Sequence, residues 1–286
     1  MYLVGIMPRL VLCGLSNVLA FLAQRVAGYR SRVVMDNLRR AFPERGEKEL
    51  RRIARSSYRA FIDTMLNIFR IRYASQKRVL RTMTCKNTEL LQRLYSEGKN
   101  GVIMAGHYSC WEYIGVLQRD IKHQTVAANQ PLSFAPLENV IAEGRTRFGA
   151  VMAALRDVFK VLIDHQRRGI PTMTLMVSDQ SPARGSCTHW LTLLGQPTPV
   201  LVGPERIAQK IGAAVMYLRI VEKKRFSYEY ELVMLSENAA QEAEMAVTKK
   251  FYAELEKDLR RVPQLWMWTH KRWKHQDLFD NKKNTL

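Results

Sequence analysis

Cysteine is scarce in this chain. Four occur in 286 residues, Cys13, Cys85, Cys110 and Cys187, and they form no CxxC pair and no metal-ligand spacing. Reduced thiols in a reducing compartment are the simplest reading. The histidines His107, His123, His165, His189, His270 and His275 form no ligand cluster by spacing, which argues against a metal site. Internal repeats and long low-complexity linkers are absent, so one large domain or two small ones is the natural partition. Acidic residues are also under-represented, 26 against 45 Lys plus Arg, for a net charge of +19. Such an excess calls for an anionic partner: nucleic acid, an anionic membrane surface, a phosphorylated substrate or an acidic carrier protein. The alternative is a solvated basic surface.

No long uncharged apolar run exists. The longest near the amino terminus, residues 10–24, is 15 residues between Arg9 and Arg25. A spanning helix needs about 20. Arg25, Arg30, Arg32, Arg39 and Arg40 follow it, which places the rest of the chain on the cytoplasmic side. A clear A-x-A cleavage site is missing, and the basic cluster follows the apolar run rather than preceding it. A retained anchor or interfacial helix over 1–28 is expected; a buried core helix is the alternative.

What is present is an alternation of helical and extended patterns. Residues 47–69 keep i, i+3, i+4 apolar spacing through Leu50, Ile53, Tyr58, Phe61 and Leu66, with Arg51, Arg52, Arg55 and Arg59 elsewhere. Strands are expected at 102–105, 125–128, 172–177, 190–194, 213–220 and 226–235. Helices are expected at 89–97, 137–148, 161–168, 204–211 and 241–261. This alternation argues for an α/β domain with a largely parallel sheet over 29–280, followed by a tail at 281–286.

One segment concentrates the chemistry. Residues 101–115 read GVIMAGHYSCWEYIG. An apolar strand stops at Gly106, His107 follows, and Glu112 comes five residues later in what reads as the first turn of a helix. In one continuous helix the two would lie about 140° apart. With His107 in the turn, the chain can fold them together. The carboxylate would then fix the imidazole tautomer and favour proton uptake at the other nitrogen. Open α/β sheets place ligands at this strand end. The alternative is a helix-capping His and a solvated Glu. Cys110 permits a Cys–His pair formally, but nothing else marks it as activated.

Other segments carry open readings. Residues 172–182, TMTLMVSDQSP, put Asp179 and Gln180 after another strand, where an acid either lines a site or caps a turn. Arg206 falls near a helix start after Gly203 and Pro204, suited to an anion or simply exposed. Arg145 and Arg147 either clamp phosphate or serve helix carbonyls. Trp266, Trp268 and Trp273, among Lys271, Arg272 and Lys274, suit a membrane interface or a buried aromatic cluster; such interleaving also occurs in nucleic-acid binders.

Five ordered blocks resemble the bacterial lipid A biosynthesis late acyltransferases, the family of lauroyl and myristoyl transferases: YRSRVVMDNLRRAFPE (29–44), GVIMAGHYSCWE (101–112), SDQSP (178–182), LLGQPTPVLVGPERIAQKIGA (193–213) and PQLWMWTHKRWK (263–274). The resemblance implies a lysophospholipid-acyltransferase-like α/β fold with an amino-terminal membrane anchor. It implies transfer from acyl carrier protein to a hydroxyl of a lipid A precursor, at the cytoplasmic face of the inner membrane. From the family's H-x₄-E/D motif it implies His107 as general base and Glu112 as its partner. It further implies Asp179 and Arg147 as substrate-site residues, and Gln180, Arg206 and Arg272 complete the candidates. No cofactor, no metal and no nucleic acid are called for; the partners are an acyl carrier protein thioester, a phosphorylated glycolipid and an anionic membrane surface. The chain departs from the family pattern at Ser109 and Cys110, where Gly-Asn is usual, and at Asn67, where a Glu is frequent. The same chemistry on a lysophospholipid or aminolipid, a basic nucleic-acid binder and a non-catalytic membrane scaffold are the rival readings.

Overall fold

A computed structural model describes residues 2–130, 132 and 134–283. Among the described residues nine strands form: β1 (Met83–Cys85), β2 (Gly101–Ala105), β3 (Gln124–Asn129), β4 (Val151–Ala154), β5 (Thr172–Val177), β6 (Trp190–Leu193), β7 (Gln196–Pro199), β8 (Ala214–Lys224) and β9 (Ser227–Ser236). The helices are α1 (Tyr2–Ile6), α2 (Arg9–Phe21), α3 (Ser31–Ala41), α4 (Glu47–Tyr73), α5 (Gln76–Leu80), α6 (Thr88–Ser96), α7 (Ala135–Thr146), α8 (Val158–Arg167), α9 (Gly203–Ile211), α10 (Ala246–Arg261) and α11 (Gln276–Lys283). Seven strands make one sheet in the order β1-β9-β8-β2-β5-β3-β4, and β6 and β7 form a separate antiparallel pair. From β8 to β4 all neighbours run parallel; β9 pairs antiparallel to β8 and parallel to β1. The expected mostly parallel α/β architecture is the one formed.

Burial on both faces explains the continuous apolar strands. All five residues of β2 are buried. Val102 and Met104 point into one core with Val215, Tyr217, Phe251 and Leu255, while Ile103 and Ala105 point into the other with Met173, Leu175 and Leu218. Successive side chains leave a strand on opposite faces, so a sheet covered on both sides has no polar alternation. Three strands differ from the sequence reading. β1, β4 and β7 are only three or four residues long, too short for a periodic signal; β1 is held by pairing with β9, β4 by pairing with β3, and β7 by a hairpin with β6.

Helix α4 extends four residues past the expected 47–69 segment and packs against α1, α2 and α3. Helix α2 continues as a π-helix over Leu22–Val26, and Arg9–Val26 is long and apolar enough, by length and composition, to cross a membrane. It lies against the domain. Leu12, Ser16 and Ala20 are buried, whereas Leu10, Val11, Val18, Phe21 and Val26 are exposed on the opposite side. Of the expected tail, residues 281–283 close α11 and residues 284–286 lie outside the described residues.

Candidate active site

β2 and β5 are adjacent and parallel, with Ala105 level with Val177. Their carboxyl ends therefore deliver His107 and Asp179 to the same edge of the sheet, the edge at which open α/β sheets bind ligands. His107 Nδ1 lies 2.5 Å from Asp179 Oδ1. The second carboxylate oxygen of Asp179 accepts from Trp266 Nε1 at 2.6 Å, and its backbone carbonyl accepts from Arg272 Nη1. The Asp179 side chain is wholly buried, and that of His107 is 15 % exposed. Burial alone would raise the Asp179 carboxyl. The Arg272 guanidinium and His107 outweigh it and hold the group well below the usual carboxylate range. An ionised carboxylate only accepts, so Nδ1 carries the hydrogen and the Nε2 lone pair is free to accept. Nε2 meets the Gln180 side-chain nitrogen at 2.9 Å.

Local backbone features set this geometry. Gly106 is closely packed: a Cβ there would stand 2.9 Å from Leu255 Cδ1, pushing that side-chain end aside, and 3.4 Å from Asp179 Oδ2. The segment after it is stitched to the chain 160 residues later. Met267 N–H donates to the His107 carbonyl at 3.0 Å, and Ser109 N–H to the Leu265 carbonyl at 2.8 Å. Ser109 adopts φ 54°, in the left-handed region, and its carbonyl accepts from Thr64 of α4. Only then does the expected helix begin, as a 3-10 helix over Trp111–Arg119.

The expected His107–Glu112 contact is not the one that forms. Glu112 sits in the first turn of the 3-10 helix, as anticipated, but its carboxylate accepts from Arg145 Nε at 3.1 Å and Nη2 at 3.0 Å. It also accepts from Trp111 Nε1 at 2.9 Å. Gly115 permits this pairing, because a Cβ there would meet Arg145 Cα at 2.7 Å. Glu112 reaches His107 only through Trp111, whose ring centroid lies 5.1 Å from the imidazole.

The remaining candidates divide. Gln180 and Arg272 join the His107 cluster. Arg272 is 1 % exposed and stacks 4.1 Å over the Trp266 ring, so it supports Asp179 from within the protein. Arg147 instead donates to the Ile71 and Arg72 carbonyls at the end of α4. Exposed Arg206 contacts Glu244 on the surface. Of the two readings for the tryptophans, the structure supports the buried cluster: Trp266, Trp268 and Trp273 are at most 4 % exposed. Their interface reading is corrected, because Trp266 and Trp268 pack edge to face and each indole nitrogen has an internal acceptor. Burial pushes the Cys110 thiol well above its ordinary value, which opposes thiolate chemistry there. Among the described residues, no group of three or more His, Cys, Asp or Glu is placed to hold a metal ion. Trp111, Trp266 and the pairing of Arg145 with Glu112 were missed as site contacts. The blocks containing them were visible, but no spacing links residues so far apart in sequence.

A polarised imidazole at the carboxyl ends of two parallel strands, backed by a buried carboxylate and arginine, defines an α/β protein equipped for general-base chemistry. The family model for bacterial lipid A biosynthesis acyltransferases matches residues 1–275, and the chain belongs to that family. A search of curated proteins gave no match. The protein is thus an acyltransferase of lipid A biosynthesis.

Proposed function

We propose that the protein transfers an acyl chain from an acyl carrier protein thioester to a hydroxyl of a phosphorylated lipid A precursor, with His107 as general base. The observation that carries this reading is the 2.5 Å contact of His107 Nδ1 with the buried Asp179 carboxylate, which leaves Nε2 as the basic atom. The acceptor hydroxyl displaces the Gln180 amide from Nε2 and gives up its proton there. Its oxygen attacks the thioester carbonyl, the tetrahedral oxyanion collapses, and the C–S bond breaks. The imidazolium returns the proton to the leaving thiolate. No acyl-enzyme is required. Asp179 stabilises the imidazolium as it forms. Glu112 acts one step removed, as a positioning residue that anchors the Trp111 indole against His107 and fixes Arg145.

The setting favours a membrane substrate. Helix α2 packs one face on the domain and leaves Leu10, Val11, Val18, Phe21 and Val26 exposed on the other, which suits a helix lying in the interface at the cytoplasmic face of the inner membrane. The net charge of +19 suits both an acidic carrier and a phosphorylated glycolipid. Single-turnover assays test the base assignment. His107→Ala should lower the chemical step by about 10²–10⁴-fold without loss of folded structure. Wild-type turnover by this variant would refute the mechanism.

A further inference from the structure

A cavity separate from the His107 cluster is lined mainly by cations. It is an open cleft of about 550 Å³ lined by Arg9, Arg70, Lys77, Arg78, Arg81 and Lys224, with three hydroxyl side chains, Phe226 and no Asp or Glu. They come from five places in the chain: the start of α2, the end of α4, α5, the residue after it, and the tip of the β8–β9 hairpin. Among the described residues, none of the six lies within ion-pair distance of a carboxylate, whereas Arg72 pairs with Glu143 and Arg93 with Glu237.

Arg70 is the decisive member. It is 5 % exposed, donates from Nη1 to Asn67 Oδ1 at 3.1 Å, and leaves Nε buried without a hydrogen-bond partner. A buried guanidinium with an unused donor and no counter-charge is costly unless something anionic completes it. Arg78 is fixed at the wall by donating to the Ile6 and Met7 carbonyls, so the cavity is tied to the α1–α2 junction. The cavity therefore opens where the apolar helix begins.

We propose that this cavity binds the phosphomonoester of a lipid headgroup at the membrane surface. Guanidinium groups match phosphate oxygens with paired donors, and several unpaired cations favour a dianion over a monoanion. The neighbouring apolar face of α2 selects a lipid as the bearer of that phosphate rather than free phosphate. The assignment rests on the reading of a membrane-facing enzyme with a phosphorylated lipid substrate, and it places one of that substrate's phosphates away from the reacting hydroxyl.

The test uses full-length protein and phosphatidylcholine vesicles doped with either phosphatidate, a phosphomonoester, or phosphatidylglycerol, a phosphodiester, matched in surface potential. Bound protein is separated by flotation. The wild type should prefer phosphatidate vesicles, and the exposed double variant R81Q/K224Q should lose about tenfold of that preference while binding phosphatidylglycerol vesicles as before. Equal binding to the two vesicle types, or a preference unchanged in R81Q/K224Q, would overturn the site. Inorganic phosphate is titrated alone in parallel. Phosphate binding that depends on Arg81 and Lys224, with no vesicle preference, would assign a free-phosphate site and overturn the headgroup. Binding is read without turnover, so its failure leaves the acyl-transfer reading standing, and loss of transfer with the preference intact leaves this site standing.

Discussion

At the scale of single residues, the carboxylate that touches His107 decides the site's logic. Asp179 is buried, ionised and shared among His107, Trp266 and Arg272. Asp179→Asn removes the charge that stabilises the imidazolium and permits the wrong tautomer. Activity should fall by about two to four orders of magnitude, the range over which general-base catalysis acts. The melt should also fall, because Arg272 is left as an uncompensated buried charge at a cost of about 3–5 kcal/mol. Glu112→Gln keeps an acceptor for the Trp111 indole and should retain far more activity than Glu112→Ala, which removes it. Equal losses in the two would place the charge of Glu112, rather than its hold on Trp111, in the reaction.

The neighbouring His270 makes a pH prediction with a definite sign. Burial, and then the Arg272 charge, pull its value from 6.5 down to about 3, so it is neutral in the folded protein. The unfolded chain binds its proton below about 6.5 while the folded protein does not, and stability therefore falls as pH drops through that window. Asp179 adds to the loss at lower pH still, since its stabilisation vanishes once the carboxylate protonates. Melting temperature measured between pH 7 and pH 4 should decline steeply in the wild type and less steeply in His270→Asn. Parallel curves would remove His270 as a cause.

At the scale of elements, the two central strands were legible and the contacts between their ends were not. β2 announces itself as an apolar run ended by Gly106, and β5 as a mostly apolar run, broken only by two threonines, ended by Ser178–Asp179, because both sheet faces are covered. The meeting of His107 with Asp179 depends on register between strands 72 residues apart, which no local pattern encodes. A spacing argument could therefore see Glu112 near His107 in sequence but not the competing Arg145 on α7. The tryptophan block stayed open in the same way: alternating aromatic and basic residues suit an interface or a core equally until the fold sets Trp266 on Asp179, Trp268 on Phe42 and Trp273 on Thr198. Helix α2 makes its own prediction. Val18→Glu with Phe21→Glu places two charges on its exposed face, so vesicle binding should weaken sharply while the melt stays near wild type. A large drop in melting temperature instead would show that this face packs on protein.

At the scale of the whole molecule, charge and topology divide the work. On the proposed reading the sheet holds His107 rigidly, and the net charge of +19 suits anionic partners. Raising ionic strength from about 0.1 M to about 1 M shortens the Debye length from about 10 Å to about 3 Å. KM for the carrier thioester should rise with it while kcat changes little, because screening acts on encounter and not on the buried His107–Asp179 pair.

The central claim is tested most directly by incubating purified protein in bilayers with acyl carrier protein thioesters and a phosphorylated lipid A precursor, and weighing the lipid by mass spectrometry. The account predicts a gain of one acyl group in the wild type and none above background in His107→Ala. No gain from folded wild-type protein with any thioester, or an undiminished gain in His107→Ala, would contradict it.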